Sequence, residues 1–271
     1  MPELPEVETT LRGIAPHVVN AQLTQIRIRE PRLRWPIPAT LAEKLTGETV
    51  TGMTRRAKYL LFHTRAGTML LHLGMSGSLS ITPADALAEK HDHVDFVLDG
   101  VSCLRFTDPR RFGSLHWCDQ NPLEHALLKD LGPEPFASDF SADYLYAVSR
   151  GRRISIKQHL MNAHVVVGVG NIYASESLFR AGIHPARPAG RIAIARMTRL
   201  VDEVRQVLTE AIAQGGTTLR DFSVGDGRPG YFQQDLRVYG RKDQPCHRCG
   251  NPVRAMRQGQ RATYYCPTCQ H

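Results

Sequence analysis

The amino-acid sequence predicts an α+β multidomain protein: a short N-terminal helix, a β domain, a helical domain and a small cysteine-rich hairpin. Three observations carry this. From about Gln22 to Trp117 the chain runs in short apolar or alternating stretches broken by Gly, Pro and Asp, the texture of half-buried strands in a sandwich or barrel. Past Gly132-Pro133 the apolar residues recur every three to four positions, which is helical spacing. The C-terminal stretch holds two Cys-x-x-Cys pairs.

Taken in order, Leu4, Val7, Leu11 and Ile14 line one helical face, and Gly13 and Pro16 are expected to close that helix. Pro2 and Pro5 fit only at or before its first turn. The strand candidates include Gln25–Ile28, Tyr59–His63, Thr68–Leu73, Val94–Leu98 and Cys103–Phe106. Helices are predicted over Ser141–Ser149, Ser155–Met161, Ile172–Ala181 and Ala193–Gln214. The last is clearest, because Met197, Leu200, Val201, Val204, Val207, Leu208, Ala211 and Ile212 keep a 3.6-residue period up to Gly215-Gly216. Residues 217–231 are rich in Gly, Asp and Ser and read as a loop. The expected domains are 1–131, 132–236 and 237–271.

A chain of 271 residues with 42% hydrophobic content can bury a core in each of two domains. The net charge of +8 favours a polyanionic partner. Seven basic residues against the single acid Asp243 give residues 237–271 a net +6, and six of the seven are arginine. Arginine suits bidentate phosphate contacts. The opening MPELPEVETTLRGI lacks the charged lead and apolar core of a signal peptide, and no apolar run reaches the roughly 20 residues of a membrane span. The chain therefore reads as cytoplasmic, where thiols stay reduced and paired cysteines hold metal.

Cys246-x2-Cys249, sixteen residues, then Cys266-x2-Cys269 is the spacing of a four-thiolate structural zinc site. Each Cys-x-x-Cys knuckle presents two sulfurs, and a tetrahedral ion needs two such knuckles facing each other. Four protein ligands leave no open position, so the ion is structural. A hairpin this small has too little core of its own, and its purpose is to hold groups such as Arg261, Tyr264 and Tyr265 in place. Cys103 and Cys118 stand apart and read as buried small hydrophobes.

At the other end, Met1 precedes a small residue, and its removal would leave Pro2 as a secondary amine. An α-amino group with a pKa near 8 has a usable free-base fraction at neutral pH. Its attack on a sugar C1′ gives a charged iminium directly, an electron sink for elimination. Glu3 and Glu6, three apart, put carboxylates on one side of the first helical turn, in reach of that chemistry. On its own, the stretch also reads simply as a capped helix start.

Eight motifs resemble one family. PELPEVE at the N-terminus, RRAKYLL at Arg55–Leu61, HLGMSGSL at His72–Leu79, KHDHVD at Lys90–Asp95, TDPRRFG at Thr107–Gly113, VGVGNIYASESLF at Val167–Phe179, GGTTLRDF at Gly215–Phe222 and the QRATYYC hairpin are all similar to bacterial formamidopyrimidine-DNA glycosylase. The resemblance spans essentially the whole chain in order. It implies an N-terminal helix on a β-sandwich, a helix–two-turn–helix domain and a zinc finger, with double-stranded DNA in the cleft between domains. It implies a monomeric glycosylase and AP lyase that removes oxidised purines. Pro2 would be the nucleophile, Glu3 the acid/base at the sugar, Glu6 a pocket support, Lys58 the proton donor for β-elimination and Arg261 a phosphate grip assisting δ-elimination. His91, Arg110, Arg152, Lys157 and Asn171 would contact DNA. Met75, Arg110 and Phe112 would fill the hole left by a flipped base, and the 217–231 loop would close over that base. Without the resemblance, Met75 and Phe112 read as core residues, and the His91, Asp92, His93, Asp95 cluster as a satisfied strand end. Two rivals stand beside this reading: an endonuclease VIII-type enzyme for oxidised pyrimidines, whose usual opening resembles PEGPE, and a non-catalytic DNA-binding zinc protein.

Overall fold

A computed structural model describes residues 2–215 and 236–271; the loop expected at 217–231 lies outside them. The described residues form two compact units, 2–129 and 130–213 with 236–271. Among them no helix is long and apolar enough to cross a membrane.

The first unit opens with α1 (Leu4–Val18). Leu4, Val7 and Ile14 are buried as their spacing predicts, with Leu11 packed beside them. The helix runs past Gly13 and Pro16, because Val18, fully buried in the same core, holds the last turn in place. Two antiparallel sheets follow. One takes the order β1-β6-β7-β5, from β1 (Leu23–Ile28), β6 (Asp92–Leu98), β7 (Ser102–Thr107) and β5 (Ser78–Pro83). The other takes the order β2-β3-β4-β8, from β2 (Gly52–Arg56), β3 (Tyr59–His63), β4 (Thr68–His72) and β8 (Ser114–Cys118). Leu60, Phe62 and Leu71 of one sheet and Leu79, Phe96, Leu104 and Phe106 of the other join the buried face of α1 in one core. The short α2 (Leu41–Leu45) buries Leu41 and Leu45 in it.

The second unit contains α3 (Ala142–Ser149), α4 (Ile156–Leu160), α5 (Asn171–Arg180) and α6 (Ile194–Ala213). Ser141 and Ser155 cap α3 and α4, accepting the Tyr144 and Gln158 amides at 3.1 and 3.3 Å. Met197, Leu200, Val204 and Leu208 of α6 are fully buried in one core with Leu178 and Leu160. The C-terminal hairpin, β9 (Arg254–Gln258) and β10 (Arg261–Tyr265), turns through Gly259 and Gln260. Both have positive φ, 51° and 62°, as a two-residue turn matched to strand twist requires. The hairpin is not a free appendage, since Phe179 of α5 shares a core with Val238, Val253 and two of the cysteines. The chain end is tied in as well: Gln270 bonds the Cys266 amide at 2.8 Å and the Ile183 carbonyl at 2.9 Å.

Candidate active site

Pro2 lies buried just ahead of α1, whose N-cap is Glu3. Glu3 and Glu6 form a capping box, in which the Glu6 carboxylate accepts the Glu3 amide at 2.8 Å. Each is only 2% exposed. Two carboxylates are thus held at a helix N-terminus, where the macrodipole favours negative charge, beside the residue with the candidate amine. One turn on, Glu8 accepts from Arg12 Nε at 2.9 Å and Arg55 Nε at 3.0 Å. Burial raises the Glu8 pKa, but the two guanidinium bonds outweigh it and hold the carboxyl below its usual range. Arg55 also donates to the Ala57 carbonyl at 2.8 Å, bracing the two-residue Ala57-Lys58 turn between β2 and β3. Ala57 has φ 54°, a left-handed conformation that costs a non-glycine residue about 1 kcal/mol. The Glu8–Arg55 ion pair therefore joins the helix carrying Pro2 to the hairpin carrying Lys58. His72, at the end of β4, packs on the Tyr59 ring. Burial, then the charges of Lys58 and Arg34 and the His116 imidazole, push its pKa down to about 4.

Met75 and Phe112 are 37% and 40% exposed, so neither is a core residue. They sit on adjacent turns: a Cβ on Gly74, whose φ is +67°, would come within 2.3 Å of the Phe112 backbone. The Arg110 guanidinium lies 4.8 Å over the Phe112 ring. The neighbouring histidine–aspartate cluster resolves into satisfied pairs. Asp95 binds Arg29 and Arg105, Asp92 accepts from Thr107 at 2.6 Å, and His93 Nε2 meets the Asp108 carbonyl at 2.7 Å. His91 stays half-buried beside it.

In the second unit Lys157 and Asn171 share one hydrogen-bond network. Lys157 is 1% exposed, and its ammonium donates to Asn171 Oδ1 at 2.5 Å, Thr263 Oγ1 at 2.7 Å and the Ala262 carbonyl at 3.2 Å. An ammonium spends its three donors on three such acceptors, so Lys157 stands behind Asn171 rather than at the surface. Asn171, half-buried at the start of α5, returns a bond of 3.0 Å to Ala262, the residue after Arg261. Arg261 and Arg152 are exposed. The sequence reading missed Glu176, which is 3% exposed and accepts the amides of Arg237, Val238 and Tyr239 at 2.8, 2.9 and 2.8 Å. A carboxyl in the middle of an otherwise apolar helical face was the available signal.

The sulfurs of Cys246, Cys249, Cys266 and Cys269 all lie within 4.8 Å of one another. A zinc tetrahedron with Zn–S near 2.3 Å separates its sulfurs by about 3.8 Å, and here Cys249–Cys266 and Cys246–Cys269 are 3.5 and 4.0 Å apart. Donor type, number and spacing fit one structural zinc ion.

Three family domains match in succession. They are the formamidopyrimidine-DNA glycosylase N-terminal domain over residues 1–115, its H2TH domain over 131–223, and the zinc finger found in FPG and IleRS over 243–271. The chain belongs to the formamidopyrimidine-DNA glycosylase family. Formamidopyrimidine-DNA glycosylases of Alkalilimnicola ehrlichii and Thioalkalivibrio sulfidiphilus are 61% and 60% identical to it, with the whole of each chain covered. The crystal structure of MutM (FPG) from Thermus thermophilus superposes with a TM-score of 0.88 at 38% identity, covering 99% of this chain and 98% of that one. A Lactococcus lactis FPG mutant in complex with Fapy-dG-containing DNA gives 0.90 at 34% identity over 100% of both chains. The L. lactis enzyme with abasic-site DNA gives 0.91 at 34% over 99% of both. Within the family frame, the structure gathers Pro2, Glu3, Glu6 and Lys58 on one unit with Met75, Arg110, Phe112 and His91. It gathers Asn171, Lys157, Arg152 and Arg261 on the other.

Proposed function

We propose that the protein excises oxidised purines, 8-oxoguanine and ring-opened formamidopyrimidines, from double-stranded DNA and then cleaves the strand by β,δ-elimination. The observation that carries this is the Pro2 end of α1, with Glu3 and Glu6 buried beside it and the Lys58 turn tied to the same helix through Glu8 and Arg55. Loss of Met1 makes the Pro2 nitrogen a secondary amine. That nitrogen attacks C1′, the glycosidic bond breaks, and the base leaves with the bonding electrons while Glu3 supplies a proton at the sugar. With O4′ protonated by Glu3, the C1′–O4′ bond opens as the nitrogen lone pair forms the C1′=N bond, and the resulting cationic iminium acidifies C2′. Removal of a C2′ proton expels the 3′ phosphate in β-elimination, with Lys58 serving the proton transfers. A second elimination expels the 5′ phosphate, assisted by Arg261. Relatives solved with Fapy-dG and abasic-site DNA support this substrate class.

Excision requires the base out of the stack. Met75, Arg110 and Phe112, exposed on adjacent turns, are the groups proposed to fill the vacated space. His91, Arg152 and Asn171 contact the DNA backbone, with Lys157 positioning Asn171. Zinc contributes no chemistry; bound to all four thiolates it sets the hairpin that carries Arg261. The segments 1–131, 132–236 and 237–271 are the corresponding catalytic, helical and zinc modules, acting as a monomer.

Borohydride trapping tests the mechanism. Wild-type protein is expected to give a covalent adduct on an 8-oxoguanine:cytosine duplex, with mass spectrometry showing the adduct on a chain lacking Met1. Pro2→Gly is expected to trap far less. Absence of an adduct, or equal trapping by Pro2→Gly, would return the protein to a non-catalytic DNA-binding role. Strong preference for thymine glycol over 8-oxoguanine would assign it to the oxidised-pyrimidine enzymes.

A further inference from the structure

The two exposed turns that carry Met75, Arg110 and Phe112 are held by a group that sits under both. Asp108 is fully buried. Its Oδ1 accepts the Ser76 hydroxyl at 2.7 Å and the Arg110 amide at 3.3 Å, and the same Arg110 amide reaches Ser76 Oγ at 3.2 Å. Its Oδ2 accepts the Gly113 amide at 2.7 Å. One carboxylate thus holds the residue after Met75, the backbone of Arg110 and the residue after Phe112. The main chain of Asp108 extends the same anchorage: its amide donates to the His91 carbonyl at 3.0 Å, and its carbonyl accepts the Arg111 amide at 3.2 Å. The contact leaves no slack. A Cβ on Gly74 would meet the Phe112 carbonyl carbon at 2.3 Å and the Gly113 nitrogen at 2.4 Å, and a Cβ on Gly113 would meet the His72 carbonyl oxygen at 2.9 Å.

We propose that Asp108, working through Ser76 and the Gly113 amide, is the positioning residue that makes Met75, Arg110 and Phe112 a single rigid wedge. A base can be levered from the stack only if the inserted groups do not yield. Separately mobile turns would pay ordering entropy as they enter the helix, and a preorganised block does not. A buried carboxylate fits this task because its hydrogen bonds are charge-assisted and it offers several lone pairs in fixed directions. An amide at the same place keeps one acceptor oxygen but turns an N–H₂ group towards a donor.

The inference rests on the wedge reading of these three side chains, and the test separates the two. Single-turnover excision is measured on an 8-oxoguanine:cytosine duplex and compared with strand cleavage of a preformed AP-site duplex, which has no base to extrude. Fluorescence of a 2-aminopurine next to the lesion reports extrusion directly. Loss of a charge-assisted bond predicts that Ser76→Ala slows excision about tenfold and Asp108→Asn about a hundredfold. AP-site cleavage should change less than about threefold, and the fluorescence rise should slow in parallel with excision. Placing 8-oxoguanine opposite an abasic position, where extrusion costs less, should restore much of the loss. Met75→Ala serves as the control. If Met75→Ala leaves extrusion at wild-type speed, the wedge reading itself fails. If Met75→Ala slows extrusion while Ser76→Ala does not, or if Ser76→Ala lowers excision and AP-site cleavage equally, Asp108 is an ordinary structural residue and the inference is overturned.

Discussion

At the scale of single residues, buried charges organise the second unit. Lys157 has its ammonium enclosed by Asn171, Ala262 and Thr263, joining α4, α5 and the zinc hairpin at one point. Removing a buried ion's partners or the ion itself leaves unpaired polar groups behind. Lys157→Met is therefore expected to destabilise this unit by about 2–4 kcal/mol and to weaken binding to any DNA, because Asn171 and the start of β10 lose their common anchor. Calorimetry and binding across a salt series check this. If Lys157 instead met a phosphate directly, its loss would lower the salt slope by about 0.9 and leave the melting temperature unchanged.

At the scale of elements, the β2-β3-β4-β8 sheet carries a pH dependence. His72 ends β4 and His116 lies mid-strand in β8. Burial, with help from neighbouring cationic groups and imidazoles, lowers both pKa values to about 4. His116 Nε2 is buried with no hydrogen-bond partner, so the strand environment offers nothing to a charged imidazole. The unfolded chain, with histidine near 6.5, binds more protons than the folded one between about pH 6.5 and pH 4. Stability therefore falls as pH drops through that window. The carboxylates do not share this slope. Asp95 is raised by burial but brought down to about 2 by its bonds with Arg105 and Arg29, so its contribution is lost only at lower pH. The first unit is expected to lose about 1 kcal/mol for each of these two half-buried histidines, after solvent screening, between pH 7 and pH 4.5. His116→Phe should flatten the curve of melting temperature against pH; a curve of unchanged slope would refute the assignment.

At the scale of the molecule, the zinc hairpin and the helical segment form one compact unit while the sandwich has its own core. Metal binding is folding energy for a module this small. Chelation is expected to unfold the hairpin, loosen α5 through Phe179 and abolish DNA binding and incision. The β-sheet signature of residues 2–129 should persist in circular dichroism and hydrogen exchange. Apo protein with full incision would contradict this arrangement.

Much of this was legible in the chain alone, because local patterns recorded it. The 3.6-residue period of α6 and the strands Tyr59–His63 and Cys103–Phe106 emerge where their apolar residues place them. The spacing of Cys246, Cys249, Cys266 and Cys269 specified the zinc site, and the Pro2, Glu3, Glu6 run specified the capped start of α1. Strands such as β2, with the sequence GMTRR, carry no apolar alternation and were not legible; backbone pairing with β3 creates them. Only tertiary structure decided the partners. It turned Met75 and Phe112 outwards on adjoining turns, withdrew Lys157 behind Asn171, and brought Asp108 under Ser76, 32 positions away in the chain. Short-range spacing determines which face of an element is apolar. Which charge a buried polar group meets depends on contacts between distant segments, and those exist only once the core has closed.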